Sequence, residues 1–204
     1  MIYIKEMSAA RKLSLISVED YLGGELNSPI KHEYLGGVVY AMAGARKVHN
    51  RIVINAMVAL GGRLWDKRCQ PFNSDTKIRV TLPGQVRFYY PDASVICRPN
   101  PQNDFFQDEP VVIIEVMSHA TRRIDDGEKK DAYLTIPSLS VYLLVEQDVP
   151  AVVAFRRTAQ GIVREVYDGL NAVVPLSEIE THLALAEIYH LVEFTPEPAA
   201  DDEA

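Results

Sequence analysis

Two short apolar runs around a polar loop constrain the fold of this chain more than any other feature. They cover residues 93–97 and 111–117, and both are rich in the β-branched residues that favour strands. The proline-containing loop of residues 98–110 separates them, which predicts an antiparallel pair of strands. Counting outward from the middle of that loop brings Asp92 and Glu115 to the same open end of the pair.

Glu115 stands inside a run whose other residues are apolar. A buried carboxylate is costly unless it is paired or binds a cation, so this position calls for an explanation. Downstream, the stretch from Asp125 to Glu128 predicts a helix start, with Asp125 as the cap and Glu128 reaching back to it. Helical spacing then places Lys129 on a face that points toward the sheet, together with Ala132, Tyr133 and Ile136.

We therefore expect Asp92, Glu115 and Lys129 to meet in one pocket. Two carboxylates are oxygen ligands that suit a divalent cation, and the ammonium group supplies a positive charge beside them. The alternative is purely structural: Glu115 and Lys129 would form a buried ion pair between strand and helix, and Asp92 would cap a turn.

Length and composition favour one soluble domain. The chain has 204 residues, 48% of them hydrophobic and 24% charged, which is enough for a core of its own. No apolar run is long enough to cross a bilayer, and the first residues lack the layout of a secretory signal. We expect a cytoplasmic protein with no membrane contact. In that compartment Cys69 and Cys97 are expected to be buried, reduced thiols rather than a disulfide.

Charge is unevenly distributed along the chain, whose net charge is −7. Ten Lys or Arg and three acids lie between Arg46 and Arg98, whereas ten acids and no Lys or Arg lie from Glu165 onward. The basic stretch is a candidate surface for a polyanion. A mixed, solvated charge distribution is the alternative.

Other segments predict the remaining elements. Residues 47–65 have the periodicity of an amphipathic helix, with His49 on the inward side of its first turn as either a hydrogen-bonded structural residue or a functional one. Glu33 precedes a turn and is either exposed or part of a site. The further predictions are a short helix begun by Ser17 and ended by Gly23-Gly24, strands at 38–43, 73–80, 85–97 and 141–145, a hairpin of 152–156 with 162–167, and a closing helix at 183–189.

Several stretches, taken in order, resemble the Uma-two family of restriction-endonuclease-like proteins, a branch of the PD-(D/E)XK nuclease superfamily. They are Lys31-His32-Glu33-Tyr34-Leu35, Met42-Ala43-Gly44 with His49-Asn50, Ser74-Asp75, Tyr90-Pro91-Asp92, Glu115-Val116-Met117-Ser118, Asp125-Asp126-Gly127-Glu128-Lys129, and Tyr133 with Ile136-Pro137-Ser138-Leu139 and Tyr142. The resemblance implies an α/β (α+β) fold, a mixed β-sheet flanked by helices, in a single domain at residues 14–194. The residues themselves indicate a loosely held leader at 1–13 and, because the last segment has too little apolar surface to become ordered, a disordered acidic tail at 195–204.

The resemblance also implies a site and an activity. Asp92 and Glu115 would bind Mg²⁺, or Mn²⁺ in its place, with the Val116 carbonyl. Lys129 would replace the lysine that many relatives carry where this chain has Met117. Glu33 would be the N-terminal acid of the site, and the supporting residues would be His49, Asp75 and Tyr133. The implied activity is that of an endonuclease hydrolysing DNA, expected as a homodimer.

Two other functional classes stay open. One is a catalytically inactive module that keeps the same fold and either binds nucleic acid or has a regulatory role. The other is an interaction protein that dimerises through its apolar terminal strands and binds no nucleic acid.

Overall fold

The structure is a computed structural model that describes residues 15–118 and 121–194. The predicted leader, residues 1–13, and the predicted acidic tail, residues 195–204, lie outside the described residues. None of the helices in the described part combines the length and the hydrophobicity needed to span a membrane.

The described residues form an α+β fold. Its helices are α1 (Val18–Glu25), α2 (Lys47–Leu64), α3 (Lys130–Tyr133) and α4 (Leu185–Ile188), with a π-helical turn at Ile124–Lys129 and a 3₁₀ turn at Ser177–Ile179. Its strands are β1 (His32–Leu35), β2 (Val38–Ala41), β3 (Gln70–Asn73), β4 (Lys77–Leu82), β5 (Gln85–Tyr89), β6 (Ala93–Ile96), β7 (Phe106–Gln107), β8 (Pro110–Met117), β9 (Val141–Glu146), β10 (Ala151–Thr158), β11 (Gly161–Asp168), β12 (Val173–Leu176) and β13 (Thr181–Ala184).

The strands make two large sheets and one small one. The six-stranded sheet has the order β11-β10-β9-β8-β6-β3, the five-stranded sheet has the order β2-β1-β5-β4-β7, and β12 pairs with β13. Within the six-stranded sheet β8 and β9 run parallel, while the other pairs are antiparallel. The predicted mixed sheet is therefore confirmed.

The predicted antiparallel pair is the centre of this sheet. β6 pairs with β8, with Ala93 opposite Ile114 and Val95 opposite Val112. Seven of the eight β8 residues are buried, since β6 and β9 flank the strand and other elements cover both faces. Side chains alternate along a strand, so Glu115 projects to the same face as Ile113 and Met117.

Each face of the six-stranded sheet has its own core. On one face Ile52, Leu60 and Leu64 of α2 pack on Ile114 and other buried residues, together with the C-terminal segment. On the other face the five-stranded sheet and the segment containing α3 cover Ile113, Met117 and Tyr142. The Glu115 face therefore looks toward the second sheet and the π-helical turn.

Several predicted boundaries are wrong. Residues 85–97 are two strands in different sheets, because the chain leaves β5 at Tyr90 and Pro91 and enters β6 only at Ala93. A proline cannot donate to a strand ladder, which suits this crossing point. Residues 73–80 are likewise the end of β3, a turn and the start of β4, and residues 183–189 are the end of β13 followed by the single turn of α4. α1 begins at the Ser17 cap as predicted but runs through both glycines to Glu25.

Cys69 and Cys97 form a disulfide, so the expectation of reduced thiols is wrong. β3 pairs antiparallel with β6, with Gln70 opposite Ile96, and this register brings the two cysteines opposite each other just beyond the last pair. The sequence pattern predicted a single partner for residues 93–97, namely residues 111–117. It did not predict that β3 pairs with the other edge of β6, and this pairing is what brings the cysteines together.

Candidate functional site

Asp92 and Glu115 lie side by side in one cleft of about 350 Å³. Asp92 is the residue before β6 and Glu115 is near the end of β8, so the antiparallel register places them at the same end of the pair. The Asp92 backbone N–H donates to Glu115 Oε2 at 3.3 Å, and the Val116 N–H donates to Asp92 Oδ2 at 2.8 Å. The Glu115 carboxylate is thus held by the backbone of Asp92, and the Asp92 carboxylate by the backbone of the residue after Glu115. Both carboxylates face the same cleft.

Lys129 enters the same cluster from the π-helical turn. Its side chain is buried, with Nζ at 2.8 Å from Glu33 Oε1, 3.5 Å from Glu115 Oε1 and 3.7 Å from Asp125 Oδ1. The nearest carboxylate is therefore that of Glu33 on β1, not that of Glu115. The ammonium group joins three elements: β1, β8 and the turn itself.

The predicted capping box is wrong. Asp125 is a buried member of the π-helical turn, not its cap, and Tyr142 Oη donates to the Asp125 carbonyl at 2.8 Å. The Glu128 carboxylate does not turn back along the chain. It accepts from the Arg87 guanidinium and from Tyr89 Oη, both on β5. Tertiary contacts therefore fix the shape of this turn and the direction of Lys129.

The site carries more negative charge than positive. The carboxylates of Glu33, Glu115 and Asp125 surround Lys129, and Asp92 lies beside Glu115 and contacts the basic side chain of His49. Burial raises the pKa of Glu115 well above its ordinary value; Lys129 lowers it, and Asp92 raises it again. Burial also raises the pKa of Asp125. For Lys129, burial would lower the pKa, but the attraction of the surrounding carboxylates prevails and raises it.

This donor set fits a divalent cation. Glu115 Oε1 is buried and accepts no hydrogen bond; its ion pair with Lys129 Nζ is long, at 3.5 Å. The surplus of carboxylates is the second indication, because a cation would offset their repulsion. Among residues 15–118 and 121–194 no group of three or more His, Cys, Asp or Glu side chains is arranged to hold a metal ion by itself. Mg²⁺ does not require one, since it commonly uses one or two carboxylates and keeps several waters.

His49 lies in the first turn of α2 and contacts the site directly. Its Nε2 is 3.0 Å from Asp92 Oδ2. Burial would lower the pKa of His49, but the hydrogen bond and charge of Asp92 outweigh that effect and raise it. The structure thus brings His49 to Asp92, where His49 and the Val116 N–H contact the same carboxylate oxygen, Oδ2.

The remaining predicted residues have different positions. Tyr133 is fully buried beside the site, packed between Tyr89 and Tyr142 with ring centroids 5.2 and 5.7 Å away. Asp75 is not brought into the cleft: it lies in the turn after β3 and pairs with Lys31 at 2.7 Å. Among the described residues, no hydrogen bond or ion pair of Asp75 reaches the cleft, so a supporting role there has no structural basis.

Two cleft residues escaped the sequence analysis. Asp125 was interpreted only as a cap. Gln147, which follows β9, is 2% exposed, lines the cleft and has a buried Oε1 without a hydrogen-bond partner. The sequence feature that could have identified Gln147 is its position. It is a polar residue just after the nearly all-apolar strand β9, at the end of the sheet where Glu115 lies.

The basic stretch does not form one uninterrupted patch. Several of its members pair with acids, including two acids of the C-terminal stretch: the pairs are Arg63 with Glu187, Lys67 with Glu180, Arg79 with Asp108, Arg87 with Glu128, and Arg98 with Glu109. Near the cleft, Arg46 contributes to the lining, and Lys47 and Arg51 are exposed on the first turn and a half of α2. The charge distribution is mixed, with basic residues beside the cleft.

The fold has a solved counterpart. A crystal structure from Anabaena variabilis ATCC 29413, described as "a putative nuclease belonging to DUF820", superposes with a TM-score of 0.67 at 20% identity, covering 85% of this chain and 97% of that one. At this identity the similarity establishes the fold.

Sequence relatives cover most of the same region. The uncharacterized protein slr1290 of Synechocystis sp. (strain ATCC 27184 / PCC 6803 / Kazusa) is 32% identical over 147 residues, 72% of this chain and 76% of the relative. The uncharacterized protein sll1609 of the same organism is 30% identical over 144 residues, 69% and 80% of the two chains. The model of the Uma2 family, described as "Putative restriction endonuclease", matches residues 18–186. With that match extending from α1 to α4 across both sheets, the chain belongs to the Uma2 family.

Proposed function

We propose that this protein is a metal-dependent endonuclease that hydrolyses phosphodiester bonds in DNA. One observation carries the proposal: Asp92 and Glu115 face one cleft from adjoining strands, and the buried ammonium group of Lys129 lies beside Glu115. The Uma2 family and the nuclease described among the fold counterparts support a nuclease-like activity.

Asp92, Glu115 and the Val116 carbonyl are the groups that would hold Mg²⁺ or Mn²⁺. The ion, when bound, would neutralise phosphate charge and lower the pKa of an attacking water. Lys129 would donate a hydrogen bond to that water or to a phosphate oxygen. Glu33 holds the Lys129 ammonium in place at 2.8 Å, and His49 fixes the Asp92 carboxylate from α2.

A plasmid-nicking assay with Mg²⁺ and with Mn²⁺ tests this function. The wild type should convert supercoiled DNA to nicked and linear forms, whereas Glu115→Gln and Lys129→Ala should each reduce the rate by at least about a hundredfold, as expected when one charged group is removed from the reacting centre. The matched controls are Glu109→Gln, an exposed acid next to the start of β8, and Lys130→Ala, whose ammonium bonds Asp126 instead. Both controls should cleave like the wild type.

The same assay separates the enzyme from a module that only binds nucleic acid. A binding module predicts a DNA mobility shift by the wild type with no metal-dependent cleavage in either metal. Cleavage that survives Glu115→Gln and Lys129→Ala unchanged would contradict the assignment of this cleft. The expectations of a homodimer and of a cytoplasmic location stay predictions.

A further inference from the structure

A second depression adjoins the cleft and has a different chemical character. It has a volume of about 440 Å³ and shares Lys129 and Asp125 with the cleft. Its other walls include Leu35, Tyr40, Met42 and Ile124. A charged reaction site is thus continuous with a largely apolar surface.

Tyr40 is the distinctive side chain of this depression. It lies on β2, an edge strand, directly opposite Glu33 on β1. Directly opposed residues of an antiparallel pair project to the same face, with their Cβ atoms about 5 Å apart. Since Glu33 contacts Lys129, the phenol ring is only one side chain removed from the reacting centre.

The Tyr40 ring is exposed although it lies among apolar neighbours. Tyr40 is 54% exposed, and Ile124, the first residue of the π-helical turn, is 47% exposed. A single exposed ring needs no explanation, but apolar side chains exposed next to one another in a depression often mark a binding site for a ligand or partner. Within the described part of the chain, these side chains form an apolar wall with an accessible ring.

The charges around the depression decide which part of a nucleic acid it accepts. The carboxylates of Glu33, Asp125 and Glu128 line it with the one ammonium group of Lys129, so its net charge is negative and disfavours a phosphate group. Their oxygens are acceptors for N–H groups, which adenine, cytosine and guanine carry on their edges. A planar ring with two apolar faces and donors on its edge matches both the apolar wall and the acidic rim.

We propose that this depression is a nucleobase subsite in which Tyr40 stacks on the base next to the scissile phosphate, so that the preferred substrate is single-stranded or locally unpaired nucleic acid. A base that stacks on a protein ring has left its own stack, which costs least where the strand is already unpaired. This inference rests on the proposed function, because the cleft must take the neighbouring phosphate.

Binding of a fluorescent single-stranded oligonucleotide in the presence of Mg²⁺ tests the subsite. All proteins in this test carry Glu115→Gln, because that substitution prevents cleavage of the oligonucleotide. Tyr40→Val keeps a strand-forming side chain but removes the ring, and should weaken binding roughly tenfold to a hundredfold. Tyr40→Phe keeps the ring and should bind within about threefold. Trp65→Ala is the control, since Trp65 is 79% exposed at the far end of the 18-residue helix α2.

An oligonucleotide of the same length made of abasic sites separates stacking from charge. It should bind the Tyr40→Val protein and the Tyr40-containing parent alike, and a fully paired duplex should bind the parent more weakly than the single strand. Equal losses on the normal and abasic strands, or equal binding by Tyr40→Val and its parent, would overturn the subsite.

The result also separates the two proposals. If the wild type cleaves DNA but Tyr40→Val leaves binding unchanged, the nuclease stands and the subsite is wrong. If the wild type cleaves no nucleic acid but Tyr40→Val weakens binding of the normal strand only, Tyr40 stacks on a base in a protein that only binds nucleic acid, and the nuclease is wrong.

Discussion

Lys129 has three carboxylates within 4 Å, and this arrangement determines how the site tolerates change. If the ammonium group is removed, the carboxylates of Glu33, Glu115 and Asp125 each lose a nearby positive charge that offsets their own negative charge. Buried charges left without a partner typically cost about 3–5 kcal/mol. The side chain therefore contributes to stability as well as to the proposed chemistry.

Lys129→Met is expected to lower the free energy of unfolding by about 3 kcal/mol in metal-free protein. Glu33→Gln should cost about 1 kcal/mol, because Lys129 keeps two other carboxylates. The double variant should cost less than the sum of the single variants by about 1–2 kcal/mol, since the two groups are in contact. Urea unfolding measures all three.

Lys130→Met is the matched control for that series. Lys130 is the next residue and pairs with the exposed Asp126, so its loss should cost under about 1 kcal/mol. Strict additivity of Glu33→Gln and Lys129→Met would show that the two side chains do not interact in solution.

At this scale the sequence identified most of the candidate site. Asp92, Glu115 and Lys129 were brought together by strand counting and helical spacing, and the structure places all three in one cluster. Asp125 was missed because the capping rule considers only partners within the same turn. Gln147 was missed because its position after β9 points to the site only once β9 is known to lie parallel to and beside β8.

At the scale of elements, α2 both covers the sheet and delivers His49. Ile52, Ala56, Leu60 and Leu64 form its buried stripe, while Val58 on the opposite side is 70% exposed. The helix packs on the same sheet whose end carries Asp92, so its position sets the contact between His49 and Asp92.

Leu60→Ala is expected to lower the free energy of unfolding by about 2–5 kcal/mol, because it removes a fully buried side chain and leaves a cavity. Val58→Ala, on the exposed side of the same helix, should change it by under about 0.5 kcal/mol. Chemical denaturation gives both values. Similar costs at the two positions would mean that α2 does not pack with this face.

Apolar patterning predicted α2, the β6–β8 pair, β9 and the β10–β11 hairpin, because each strand or helix is one continuous segment bounded by polar or turn residues. It failed where the chain passes between sheets. Residues 85–97 read as one strand, since the apolar content before and after Pro91 is similar. Which sheet a strand joins depends on distant partners, here β1 and β4 for β5 but β3 and β8 for β6.

At the scale of the whole molecule, the candidate site lies where the two large sheets meet. The six-stranded sheet supplies Glu115, the five-stranded sheet supplies Glu33, and the π-helical turn between β8 and β9 supplies Lys129. No single segment determines by its own sequence that these three side chains come together. It depends on both cores being formed, so the site should be lost cooperatively with the fold.

The Cys69–Cys97 disulfide joins the edge strand β3 to β6 across a sequence separation of 28. Closing a loop of this length restricts the unfolded chain, which corresponds to about 3–4 kcal/mol. Reduction, or the Cys69→Ser/Cys97→Ser variant, should lower the free energy of unfolding by about that amount in urea. Identical unfolding curves with and without reductant would contradict the cross-link between Cys69 and Cys97.

The central claim is that the carboxylates of Asp92 and Glu115 share one divalent cation. An anomalous difference map from crystals soaked in Mn²⁺ measures this directly, with a Glu115→Gln crystal treated in the same way as the control. We expect one strong peak within bonding distance of Asp92, Glu115 and the Val116 carbonyl in the wild type, and no such peak in the variant. A wild-type map with no peak between the two carboxylates, at a Mn²⁺ concentration that supports cleavage, would contradict it.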